Sequence, residues 1–143
     1  MTPSLTYIYG DRREPLVCIY RHTDGYPDEQ GKDLARILSN EFVGSDPEQT
    51  AVQVLVGMIR LAPADWKGVG DDTLPIGTIY IAPWINGYEV PWIYRCYPPN
   101  QQTKSWLMEV WDNTANTLIY EGTPDNFPAW ANAPEQQPRT PLT

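Results

Sequence analysis

The sequence predicts a single α+β domain: an N-terminal β-hairpin, two helices and then an antiparallel β-meander, with the helices packed on one face of the sheet. Three observations carry this. Apolar and aromatic residues recur at strand period near the N-terminus and again from residue 78 onward, but at helical period between those stretches. The later strand-like runs are joined by links too short for parallel crossovers. Finally, 143 residues with 41% hydrophobic and 20% charged side chains match one globular domain, which at this length buries well over half of its unfolded surface.

Leu5 to Tyr9 and Leu16 to Tyr20 are the strands of the hairpin, with the polar turn Gly10-Asp11-Arg12-Arg13-Glu14-Pro15 between them. A sharp turn follows at Asp24-Gly25-Tyr26-Pro27, where Asp is expected to bond its own downstream backbone and Gly to take positive φ. Pro27, Asp28 and Glu29 suit a first helical turn, since proline has no N–H to lose there and acids favour the positive end of the helix dipole. Leu34, Ile37, Leu38 and Phe42 continue at helical spacing, with Lys32, Asp33 and Arg36 outside.

Ser45 and Glu48 have the spacing of a capping box, and a second helix is expected from there to about Leu61. Its apolar residues cover nearly the whole circumference, the pattern of a central helix. Gly57 costs such a helix about 1 kcal/mol relative to alanine, a cost that close approach to the sheet would explain. After a long connection over residues 62–75, strands are expected at Thr78 to Trp84, Trp92 to Tyr97, Ser105 to Trp111 and Thr117 to Glu121. Their links carry Asn86-Gly87, Pro98-Pro99-Asn100 and Asp112-Asn113, all turn chemistry. The domain is expected over residues 1–130, with Phe127 and Trp130 pinning the chain back onto the sheet and 131–143 a flexible, proline-rich tail.

Eighteen acids against ten bases give a formal net charge of −8, which argues against direct contact with nucleic-acid phosphates. The same charge serves solubility, or imitation of nucleic acid on a basic partner. Cys18 and Cys96 lie in apolar runs and are expected as free, buried thiols. No stretch reads as a signal peptide or a membrane span, so the expected compartment is the cytoplasm, with no membrane partner.

The stretch Ile19-Tyr20-Arg21-His22-Thr23-Asp24-Gly25-Tyr26-Pro27, with Gly31, Leu34, Ala35 and Leu38 after it, resembles a family of small uncharacterised proteins of phages, prophages and bacterial genomes. Its hallmark is Tyr-Arg/Lys-x-x-Asp-Gly-Tyr-Pro. Further likeness lies in residues 51–59, 77–83 and 118–124, while Thr23 and the start of the second helix depart from the pattern. The resemblance implies one compact α+β domain in a mobile-element setting, cytoplasmic in the host, and implies no activity.

Candidate chemistry is sparse. With His22 the only histidine, multi-histidine metal sites are excluded. Cys18 or Cys96 with His22 forms a conceivable nucleophile and base, set against a buried thiol and a turn histidine. Asp24, Asp28 and Glu29 suit a cation or acid–base work, set against a turn and a helix start; Asp71-Asp72 reads as a solvated loop. No catalytic residue, metal ligand or cofactor is assigned.

The aromatic strands say more. Trp84, Tyr88, Trp92, Tyr94, Tyr97, Trp106 and Trp111, with Arg95 among them, can stack a planar ring and pair an anion, or can build a core or an interface between copies of the chain. The candidate ligand set is Arg21, His22, Asp24, Tyr26, Trp84, Tyr88, Trp92, Tyr94 and Arg95. The expectation is a non-enzymatic, phage-encoded binding protein that recognises a small ligand, a nucleotide-type signal for example, through an aromatic sheet face. The alternatives are an acidic inhibitor of a host protein and a small enzyme using Asp24, His22 or a cysteine. Strand parity sets Trp92, Tyr94 and Cys96 on one side and Ile93, Arg95 and Tyr97 on the other, and one of these sides is the core.

Overall fold

The N-terminal hairpin forms where the alternation places it. Ser4–Tyr9 (β1) and Pro15–Arg21 (β2) pair antiparallel, with Tyr7 opposite Cys18. Their turn closes through Gly10 N–H to the Glu14 carbonyl at 2.8 Å and Arg13 N–H to the Gly10 carbonyl at 2.9 Å. The structure, a computed structural model, describes residues 2–22, 24–61, 79–81 and 90–133.

The remaining strands are Ile79–Ile81 (β3), Trp92–Tyr97 (β4), Leu107–Asp112 (β5) and Thr117–Gly122 (β6). Among the described residues they complete a six-stranded sheet of order β3-β2-β1-β4-β5-β6. The architecture is the α+β class expected, with β4, β5 and β6 an antiparallel meander. Two pairings differ from a simple continuation. β3 joins β2 at the far edge, and β4 lies parallel to β1, with Tyr7 opposite Arg95. Burial accounts for this placement: β1 and β4 carry side chains packed on both faces, such as Leu5 and Ile8 or Ile93 and Tyr94, and strands of that kind take the middle of a sheet.

The helices cover one face. A single π-helical turn, Pro27–Gly31, leads into Lys32–Leu38 (α1), which is followed by Pro47–Leu61 (α2) and Phe127–Asn132 (α3). Their apolar residues Leu34, Ala35, Ile37, Leu38, Val54, Met58 and Phe127 form one core with Ile8, Ile19, Tyr94, Cys96, Met108 and Val110 of the sheet. Phe127 is fully buried, its ring edge-on to Tyr120 at 5.0 Å, and Trp130 packs against both. The pinning role expected of these two residues is met by a short helix that also buries Ala131. α3 carries the described chain through Ala131 and Asn132, and residues 134–143 of the expected tail lie outside the described residues.

Several local expectations are corrected. Phe42 does not extend α1, which ends at Leu38, and its side chain is 79% exposed. The cap of α2 is Asp46, whose Oδ1 accepts from Glu48 N–H at 3.1 Å, with Pro47 at the first helical position. α2 is not central: Val54 and Met58 are fully buried, whereas Val52 and Val56 face solvent. Gly57 admits α1 rather than the sheet, because a Cβ there would stand 2.7 Å from Ile37 Cδ1. The connection at 62–75 lies outside the described residues, as do Trp84 and Tyr88. Among the described residues no helix is long and apolar enough to cross a membrane.

Candidate functional site

The Asp24-Gly25-Tyr26-Pro27 turn is a structural lock. Arg21, at the end of β2, points to the helix side and is 3% exposed. Its Nη1 donates to Gln30 Oε1 at 2.6 Å and to Asp33 Oδ2 at 3.0 Å. Gln30 in turn donates from Nε2 to Thr6 Oγ1 at 3.1 Å. A buried guanidinium needs this degree of satisfaction, since an unpaired one is expensive away from water. The network ties β1, β2, the π turn and α1 together.

Positive φ falls on Asp24, at 58°, instead of on Gly25. Gly25 is required for a different reason: a Cβ there would sit 2.6 Å from the Thr2 carbonyl oxygen and 2.9 Å from Pro3 backbone atoms. Gly25 N–H donates to the Thr2 carbonyl at 2.7 Å, and the Gly25 carbonyl accepts from Tyr94 Oη at 2.6 Å. Arg21, Asp24 and Gly25 thus fasten the N-terminal segment, β4 and the helix entry to one another. His22 Nδ1 lies 2.8 Å from Tyr20 Oη, and Tyr26 is exposed at the entry to the π turn.

The carboxylates beside the turn are dispersed. Asp33 and, at 3.8 Å, Asp24 pair with Arg21, while Asp28 pairs with Lys32 at 2.7 Å. Partial burial, with Asp24, Asp28 and Asp33 nearby, raises the pKa of Glu29. Among the described residues no group of three or more metal-ligating side chains converges. The thiols are not activated either. Burial pushes Cys18 up to about 11, its hydrogen-bond partner being Tyr7 and not His22, and burial raises Cys96 as well. A thiol held protonated is a poor nucleophile.

The face opposite the helices holds a different arrangement. Cross-strand pairing sets Cys18, Tyr7, Arg95 and Glu109 in one row across β2, β1, β4 and β5, with Ile93 and Trp111 paired in the next row and Tyr97 on the same face. Tyr9 and Tyr97 stack at 4.6 Å with 17° between their planes. The Arg95 guanidinium lies 5.1 Å over the Tyr7 ring and donates to Tyr9 Oη. Arg13, from the hairpin turn, lies 4.6 Å over the other partner of the stack, Tyr97. Glu109 Oε1 accepts from Trp111 Nε1 at 3.0 Å and from Tyr97 Oη at 3.3 Å.

A depression of about 360 Å³ opens on this face, lined by Ile93, Arg95, Tyr97, Glu109, Trp111, Asn113 and Asn116. All but the exposed Asn116 are half-buried. Burial, then the Glu109 carboxylate, pushes the Tyr97 phenol up to about 12; burial, then Cys18, does the same to Tyr7. Both phenols stay protonated at neutral pH as hydrogen-bond donors. The wall therefore offers aromatic faces, the Arg95 guanidinium and one carboxylate, with Arg13 stacked over Tyr97 beside it.

The structure divides the sequence-derived set of candidate residues. Tyr94 is fully buried and Trp92 packs against the helix-side core, as does Trp106, whose Nε1 donates to the Gly44 carbonyl at 2.9 Å. Arg21, Asp24 and Tyr26 belong to the turn at the helix side, whereas Arg95 stands on the opposite face. Sequence reading missed Tyr7, Tyr9, Arg13 and Glu109 as its neighbours. Strand parity alone groups Tyr7 with Tyr9 and Arg95 with Tyr97, but nothing local in the sequence brings β1 beside β4. Comparison with protein-family models, curated proteins and solved structures finds no match for the chain.

Proposed function

We propose that the protein is a non-enzymatic binding module whose outer sheet face takes a small, planar, anionic ligand of the nucleotide type. The observation that carries this is the half-buried Arg95–Glu109 pair. The two residues are direct cross-strand partners on an open face, no salt bridge joins them, and each is held by aromatic side chains beside a depression. Arg95 and Arg13 supply charge for an anion, Tyr97 and Trp111 supply faces for a ring, and Glu109 and Asn113 supply groups for its polar edge.

The chemistry of the two thiols and of the dispersed carboxylates supports binding over catalysis. The resemblance to phage and prophage proteins supports a setting in an infected cytoplasm, where a ligand-sequestering protein acts against host signalling. A nucleotide and metabolite panel screened by thermal shift, followed by calorimetry on the hits, tests the reading. Binding that is lost in Arg95→Ala and Tyr97→Ala supports it; a panel without hits, on protein that native mass spectrometry shows to be ligand-free, removes it.

The net charge of −8 favours a second reading, an acidic protein that covers a basic host surface. Its mark is salt-sensitive capture of one basic partner, lost when acids are neutralised and kept in Arg95→Ala.

A further inference from the structure

Helix α2 presents a ridge to solvent on the side turned away from the core. Glu48, Val52, Val56 and Arg60 stand along it at successive steps of four, and all four are exposed, Val52 at 62% and Val56 at 40%. Residues at that spacing lie on one face of a helix. Exposed Phe42 borders the same helix, held there by Gln53 Nε2 donating to its carbonyl at 3.2 Å. Among the described residues neither Glu48 nor Arg60 forms a salt bridge.

The order of the ridge is acid, apolar, apolar, base. Consider a two-fold axis perpendicular to α2 and level with Val54, whose own side chain is turned into the core. It sets Val52 on Val56 of a second copy and Glu48 opposite Arg60 of that copy, and symmetry makes each contact twice. A parallel pairing instead sets like charges together. A near-antiparallel crossing of about 20° keeps both ends of the ridge within side-chain reach.

We infer that the chain forms a two-fold dimer through α2, with Val52 and Val56 at its centre and the Glu48–Arg60 pairs at its ends. One helix ridge per copy buries less than the ~1,200 Å² of a standard stable interface, so association is weak and depends on concentration. The depression beside Arg95 and Tyr97 lies on the side of the sheet opposite the helices, so this inference stands independently of the ligand.

Sedimentation velocity from low to high micromolar protein is the test. The expected result is a reversible monomer–dimer equilibrium for the native chain. Val52→Asp is expected to stay monomeric throughout with an unchanged thermal melt, because the site is exposed. Glu48→Arg weakens association about tenfold, as two lost attractions and two new repulsions require, and Glu48→Arg with Arg60→Glu restores it. A native chain that is monomeric throughout, a dimer untouched by Val52→Asp, or a double swap as weak as the single one overturns the inference.

Discussion

Arg95 and Glu109 face each other across the β4–β5 ladder without forming a salt bridge. Opposite charges at such a position usually attract, yet here Arg95 turns back over Tyr7 to Tyr9, and Glu109 is engaged by the Tyr97 hydroxyl and the Trp111 indole. The role of Glu109 in the fold is therefore that of an acceptor rather than a charge. Glu109→Gln, which keeps an acceptor oxygen, is expected to change stability by less than about 0.5 kcal/mol. Glu109→Leu leaves a phenol and an indole N–H without their partner and is expected to cost about 1 kcal/mol or more. Urea denaturation of the two variants reads the difference.

The turn around Arg21 and Tyr26 divides into residues that hold the fold and one that does not. Arg21→Ala removes the buried guanidinium from Gln30 and Asp33 and is expected to cost about 3 kcal/mol, the scale of breaking a buried charged network. Tyr26→Ala, on the surface beside it, is expected to cost less than about 0.5 kcal/mol. Equal losses at the two positions, measured by chemical denaturation, contradict the division.

Backbone geometry gives a paired expectation at the adjacent positions. Gly25→Ala drives a methyl into the Thr2 and Pro3 backbone and is expected to destabilise by about 1–3 kcal/mol. Asp24→Gly relieves a left-handed residue, worth about 1 kcal/mol, and gives up only a long, half-exposed ion pair with Arg21. It is expected to leave the melting temperature unchanged or raised.

Alkaline stability follows from Cys18, Tyr7 and Tyr97. Their folded pKa values are raised, Cys18 from 9.0 to about 11 and both phenols from 10.0 to about 12. A group whose folded pKa lies above its unfolded one contributes stability that is complete below the unfolded value and is lost as pH climbs through the folded one. Urea midpoints are accordingly expected to be insensitive to these groups at neutral pH and to fall from about pH 9 to about pH 12. Phenolate absorbance of Tyr7 and Tyr97 is expected to appear only as the chain unfolds, and free thiols are expected to react with alkylating agents only in denaturant.

Sequence reading reached the α+β class, the hairpin, helices α1 and α2 and the β4–β6 meander because each rests on local periodicity or turn chemistry. It did not reach the parallel β1–β4 pair, since no local pattern in either strand names its neighbour. That pair is what joins Tyr7 and Tyr9 to Arg95 and Tyr97, so the candidate face was only half legible. Parity separated Tyr94 from Arg95, but identifying the core side required the helices to be placed. The turn motif was visible, while its reason was not: the αL residue is Asp24, and Gly25 answers to a contact with Thr2 and Pro3 more than twenty residues earlier in the chain. Helix α3 escaped because six residues containing Pro128 carry too short a period to register.

The ligand site on the outer face of the sheet is put to the test by calorimetric titration of the best nucleotide-type hit into the native chain and Arg95→Ala. The expected result is saturable one-to-one binding to each copy of the native chain and loss of at least tenfold in affinity in the variant, with its melting temperature retained. Undiminished binding by Arg95→Ala contradicts it.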